Sequence, residues 1–192
     1  MRNYGKTWVI VLAVVLGVIA IGAMIYIGGY NKAVNLDEEV NTAWANVDAA
    51  LQRRLDLIPN LVSTVKGYAE HEKELFENIA QSREKYFATD SKEGKIEASN
   101  ELTGLLSRLL VLREAYPELK ANQNFLALQD SLEGTENRIA VARTRYNEVA
   151  RKINQYRRQI FGSFFARRAG IDEPAPYFEA AEGAETVPQV VF

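Results

Sequence analysis

Cysteine is absent from the 192 residues, and histidine occurs once, at His71. No disulfide, thiolate metal site, cysteine nucleophile or lipid-modified N-terminal cysteine is therefore available. One histidine cannot supply a multi-histidine metal site within a single chain. Charge of one sign is lacking too: 23 Lys and Arg face 25 Asp and Glu, a formal net charge of −2. Nothing in that balance draws the chain to nucleic acid. Catalytic signatures are missing as well. His71-Glu72 opens like a zinc-protease helix, but the second histidine would have to stand four residues on, where Leu75 is found. A di-iron bundle needs Glu-x-x-His on two helices, which one histidine cannot provide. No phosphate-binding glycine loop and no Gly-x-Ser-x-Gly elbow occurs. The expectation is a non-enzymatic protein with no catalytic residue, metal, cofactor or small-molecule substrate.

What is present begins with grease. Trp8 to Ile27 runs without a charged side chain, and at about 1.5 Å per residue such a helix crosses the roughly 30 Å hydrocarbon layer. A cleaved signal peptide has a shorter apolar region and a small-x-small site, whereas this run leads into Tyr26-Ile27-Gly28-Gly29-Tyr30. A retained single-pass anchor over residues 1–29 is expected, with Trp8, Tyr26 and Tyr30 at the interfaces. Ala13, Gly17 and Ala20 share one face, either a small-residue stripe through which anchors pack together or the product of ordinary apolar composition. Arg2 and Lys6 precede the span and Asp37, Glu38 and Glu39 follow it, so the positive-inside rule puts the following domain outside.

Four helical segments are predicted next, over residues 30–168. Ala33, Leu36, Val40, Ala43, Val47 and Ala50 mark the first, which proline chemistry ends at Ile58-Pro59. The second starts at Pro59 and runs to about Phe87. Thr89-Asp90-Ser91 caps the third, which Tyr116-Pro117 stops. In the fourth, Phe125, Leu128, Leu132, Thr135, Ile139, Ala142, Tyr146, Val149, Ile153, Tyr156 and Ile160 alternate steps of three and four, the pattern of a coiled-coil-like seam. Short connections make neighbours antiparallel. The predicted fold is all-α: a transmembrane helix, an antiparallel up-and-down four-helix bundle and an extended acidic tail. Gly134, beside the seam residue Thr135, is read as a point of close helix approach.

The far end of the fourth helix should return to the bilayer. There Arg151, Lys152, Arg157, Arg158, Arg167 and Arg168 stand without an acidic neighbour, interleaved with Phe161, Phe164 and Phe165. That suits an anionic lipid surface, or equally a solvated helix end whose cations answer the macrodipole. From Ala169 to Phe192 acidic residues and three prolines break helix, and Val190, Val191 and Phe192 offer an apolar end that binds a partner as a strand or clamps back on the bundle. The functional expectation is a membrane-anchored scaffold or adaptor that self-associates and presents bundle and tail to protein partners. The alternative is a membrane-surface sensor that binds anionic lipid through the basic aromatic stretch.

Several strings resemble the LemA family: Arg53 to Glu72 (RRLDLIPNLVSTVKGYAEHE), Lys120 to Gln129 (KANQNFLALQ), Glu133 to Arg143 (EGTENRIAVAR), Tyr146-Asn147 and Tyr177 to Ala184 (YFEAAEGA). The likeness extends from about Tyr30 to Phe192. It implies a bacterial membrane protein with an N-terminal anchor and a four-helix bundle, without established catalytic residues. It also implies a place near membrane protein quality control, with a membrane metalloprotease such as HtpX as a partner. For some members it implies a cytoplasmic bundle, opposite to the charge-based orientation.

Overall fold

The structure is a computed structural model that describes residues 4–179. It is all-helical among those residues. In chain order the helices are α1 (Tyr4–Lys66), α2 (Lys73–Ala88), α3 (Lys92–Ala115), α4 (Pro117–Lys120), α5 (Gln123–Arg157) and α6 (Ile160–Arg168). The chain divides into two compact units, one of residues 1–42 with 148–175 and the other of residues 43–147 with 176–192.

Helix α1 is 63 residues long. Its most apolar stretch has a mean hydropathy of 2.9 and none of it is buried in the protein. It is long and apolar enough to cross a membrane. Gly28 and Gly29 do not interrupt it, so the greasy stretch passes into the next residues as one unbroken helix. The expected break at Pro59 is corrected: the proline sits inside α1, which ends at Lys66, and the next helix starts only at Lys73. A proline inside a helix leaves the carbonyl four residues earlier without its amide partner. That carbonyl belongs to buried Leu55, and it accepts a hydrogen bond from Arg83 Nε of α2 at 3.3 Å. The donor from another helix replaces the missing one, and the helix continues.

Local rules hold better further on. Ser91 caps α3, its Oγ accepting from Gly94 N at 3.0 Å. Tyr116 ends α3, and Pro117 opens the single turn of α4. Asn122 Oδ1 accepts from Phe125 N at 3.0 Å near the start of α5. In the unit of residues 43–147, Val47, Leu51, Leu55, Ile58, Leu61 and Val65 of α1 are buried. So are Ile79 and Tyr86 of α2, Leu102 and Leu109 of α3, and Phe125, Leu132, Ile139 and Tyr146 of α5.

The seam of the last long helix remains buried or half-buried as far as Tyr156. Ile160 departs from it, at 89% exposed. The helix stops at Arg157 and restarts as α6, because Gly162 packs on the Tyr156 carbonyl: a Cβ there would lie 2.0 Å from that oxygen. After α6, Gly170 takes φ +79°, with Gly170 N bonded to Arg167 O and Ile171 N to Ala166 O. This left-handed cap closes the helix.

Candidate functional site

Three places gather chemistry, and the first is α6. In the unit of residues 1–42 and 148–175, a small core forms from Ala33, Tyr156 and Phe165, flanked by Leu36, Ala169 and Ile171. Phe165 lies flat on Gly29, where a Cβ would come within 2.1 Å of its ring. Tyr26 meets the rings of Phe164 and Phe165 at 6.5 and 5.9 Å between centroids, and Tyr156 Oη donates to Gly29 O at 2.9 Å. Helix α6 is thereby held at the end of the apolar stretch of α1. Its other face is bare: Ile160 and Phe161, the latter 74% exposed, stand out with half-exposed Phe164.

The residues expected to meet lipid therefore divide. Arg151, Arg158, Arg167 and Arg168 are exposed, Arg167 bonding Ser163 Oγ and Arg168 lying over the Phe164 ring. Lys152 is exposed too, 3.8 Å from Glu39. Arg157 instead turns to the tail and donates to the carbonyls of Ile171 and Asp172. Phe165 is buried in the small core. The outward apolar residues are Ile160, Phe161 and Phe164. Sequence periodicity had placed Ile160 in the seam, because a three-four count cannot register a helix that stops.

The second place holds the tail. Asn147 grips Phe178 on both sides of its peptide: Nδ2 donates to Phe178 O at 2.8 Å, and Oδ1 accepts from Phe178 N at 3.0 Å. The Phe178 ring stacks on Trp44 (6.0 Å, 19°), meets Tyr146 edge-on (5.7 Å) and lies under the Arg143 guanidinium at 4.7 Å. Burial pushes the Tyr146 phenol up to about 12, and it lowers Arg143, with Arg54 nearby adding to the effect. In the other unit Asn154 repeats the double grip on Ala175, at 2.8 and 2.9 Å. Tail residues beyond Glu179, including Val190, Val191 and Phe192, lie outside the described residues. The resemblance strings had marked Asn147 and Phe178 separately, with no sign that they touch.

The third is a buried polar knot. Arg54 is 2% exposed. Its guanidinium donates to Glu136 Oε2 (2.8 Å), Thr103 Oγ1 (3.0 Å) and both oxygens of Ser99, whose Oγ also accepts from Arg143 Nη2. A buried guanidinium is tolerable only with acceptors of this kind on its two terminal nitrogens; Arg54 Nε is buried without a partner. Beside it a cleft of about 350 Å³ is lined by Arg54, Thr103, Leu106, Gln129, Leu132 and Glu136 among others.

Other expected sites are placed plainly. Thr135 is buried, its hydroxyl donating to Ser131 O at 2.8 Å. Gly134 is exposed with open space where a Cβ would sit, so among the described residues no other helix approaches it closely. Ala13, Gly17 and Ala20 are exposed on α1. His71 is exposed in the turn between α1 and α2, not on a helix face.

The relative "Protein LemA" of Metamycoplasma hominis is 26% identical over 137 residues, 71% of this chain and 63% of that protein. The match thus spans less than two thirds of the relative's length. The sequence model of the LemA family matches residues 43–192, which include Arg54, Glu136, Asn147 and Phe178. On that match, which covers most of its length, the chain belongs to the LemA family.

Proposed function

We propose that this protein is a non-enzymatic scaffold or adaptor, anchored by a single pass in the bacterial inner membrane, which presents an antiparallel four-helix bundle and a tail to protein partners. The observation that carries the reading is the continuity of α1, whose exposed apolar stretch becomes, without a break, a wall of the buried core. A helix shared by anchor and domain ties the domain to the bilayer, and display at a surface needs that. The buried ionisable groups point the same way. Tyr86 and Lys95 both bond Asp48 (2.6 and 2.9 Å), and Arg54 bonds Glu136; these pairs tie helices to each other. Self-association belongs to the reading, through the Ala13, Gly17 and Ala20 stripe or the surface around Gly134. Partners in membrane protein quality control, among them a membrane metalloprotease of the HtpX kind, follow from the family resemblance. Chemical cross-linking in native membranes, followed by sizing after gentle extraction, should give dimers or larger species. A strictly monomeric chain at native abundance would remove the self-association.

A second reading has its own observation. The bare apolar face of α6, carrying exposed arginines and held against Tyr26, suits an anionic headgroup layer. On this reading the chain senses the membrane surface as well as being fastened to it.

A further inference from the structure

The grip on the tail has two properties that matter together. Asn147 reads only peptide groups, which every extended chain offers, and one aromatic ring supplies the rest. Trp44, Tyr146 and Arg143 form a socket around that ring, while the chain leading to it, Asp172 to Pro174, is exposed. Recognition of backbone plus a single side chain is the way extended peptides are captured by folded domains. Any chain with the same extended stretch and a phenylalanine at the right place fits equally, and a second copy of this protein carries one by definition.

We infer that Trp44, Arg143, Tyr146 and Asn147 form an acceptor site for the tail of another copy, filled by the chain's own Phe178 when a copy is alone. The grips of Arg157 on Ile171 and Asp172 and of Asn154 on Ala175 exchange together with that of Asn147 on Phe178, so the contacts are the same in both arrangements and their energies cancel. What decides is chain entropy against local concentration, as in other exchanges of an identical element. Gly170, at φ +79°, is the pivot. From there to Phe178 eight extended residues reach up to about 27 Å, more than two helix diameters. Anchoring in one bilayer raises the concentration of neighbours and drives the exchange. Copies are then strung together by their tails. This rests on the scaffold reading and supplies its means of association.

The site has chemistry to spare: the buried Tyr146 hydroxyl and Arg143 Nε have no hydrogen-bond partner.

The test pairs two damaged full-length chains in one membrane. One carries Phe178→Ala, which leaves its socket empty; the other carries Asn147→Leu, which spoils its socket but keeps its tail. Each bears a different affinity tag, and co-isolation is measured in proteoliposomes. The unlike pair should co-isolate at least about fivefold more than either like pair, because only it combines a sound socket with a sound tail. Trp44→Leu, used in place of Asn147→Leu, should give the same pattern. Thermal unfolding of each variant shows that it is folded. In a Trp8→Phe background Trp44 is the sole tryptophan, and the emission of the Phe178→Ala chain should return toward that of the parent when the tail donor is added. Equal co-isolation of all pairs would sink the exchange and leave self-association by another surface. So would association of parent chains without any from the unlike pair. Absence of association even between parent chains would overturn both this inference and the self-associating scaffold.

Discussion

Tyr86 and Tyr146 are both fully buried, but their hydroxyls differ. Tyr86 Oη donates to Asp48 at 2.6 Å, whereas Tyr146 Oη has no partner. A buried bonded hydroxyl contributes about 1 kcal/mol, while an unbonded one costs its desolvation. Tyr86→Phe should therefore destabilise by about 1–2 kcal/mol, and Tyr146→Phe should be neutral or stabilising, as read by denaturant midpoints. Alkali separates them further. Tyr146 holds its proton up to about 12 in the fold but releases it near 10 when unfolded, so the unfolded chain binds fewer protons in that window and stability falls as pH rises through it. Tyr146→Phe should lose less stability than the parent between those pH values. A parallel decline would show that the phenol is not held protonated.

At the scale of elements, Pro59 and Arg83 act as one device. Arg83→Ala leaves the buried Leu55 carbonyl unpaired, which costs about 1–3 kcal/mol. In a Pro59→Ala background the restored amide bonds that carbonyl, so the same Arg83→Ala change should cost about 1 kcal/mol less. Additive effects in the double-mutant cycle would show that Arg83 does not compensate the proline. Two glycines give a similar contrast. Gly134 is exposed in mid-helix with room for a methyl group, and Gly134→Ala should stabilise the isolated chain by about 0.5–1 kcal/mol. Gly162→Ala meets the Tyr156 carbonyl and should destabilise, loosening the turn into α6. If Gly134→Ala weakened cross-linked assemblies while stabilising the monomer, the expected close approach would come from a second copy.

For the whole molecule the governing question is what covers α6. Ile160 and Phe161 would each sit in water at a cost of about 1.5–3 kcal/mol relative to burial, and a bilayer removes that cost. A full chain with Phe161→Trp as its only tryptophan should show blue-shifted emission, quenched by brominated lipid, in vesicles containing anionic lipid. The shift should weaken with salt, and on replacing Arg158, Arg167 and Arg168 by glutamine. Arg157 is left intact in this test because it holds the tail carbonyls of Ile171 and Asp172. Water-like emission in every vesicle would remove the membrane role of α6.

Hydropathy and capping act over a few residues, so the amino-acid order alone determined what depends on them. It set the apolar stretch from Trp8 to Ile27, the cap at Ser91, the stop at Tyr116-Pro117 and the three-four seam as far as Tyr156. Only the tertiary structure decided where distant parts meet. Pro59 stays helical because a residue 24 positions later, Arg83, reaches its orphaned carbonyl. The seam stops short of Ile160 because Gly162 folds onto Tyr156 and Phe165 onto Gly29. Arg54 is a core residue because Ser99, Thr103 and Glu136 converge on it. Asn147 finds Phe178 because the chain turns back at Gly170. Pairings of this kind are set by which surfaces the folded chain brings within bonding distance, and no local pattern of residues encodes that distance.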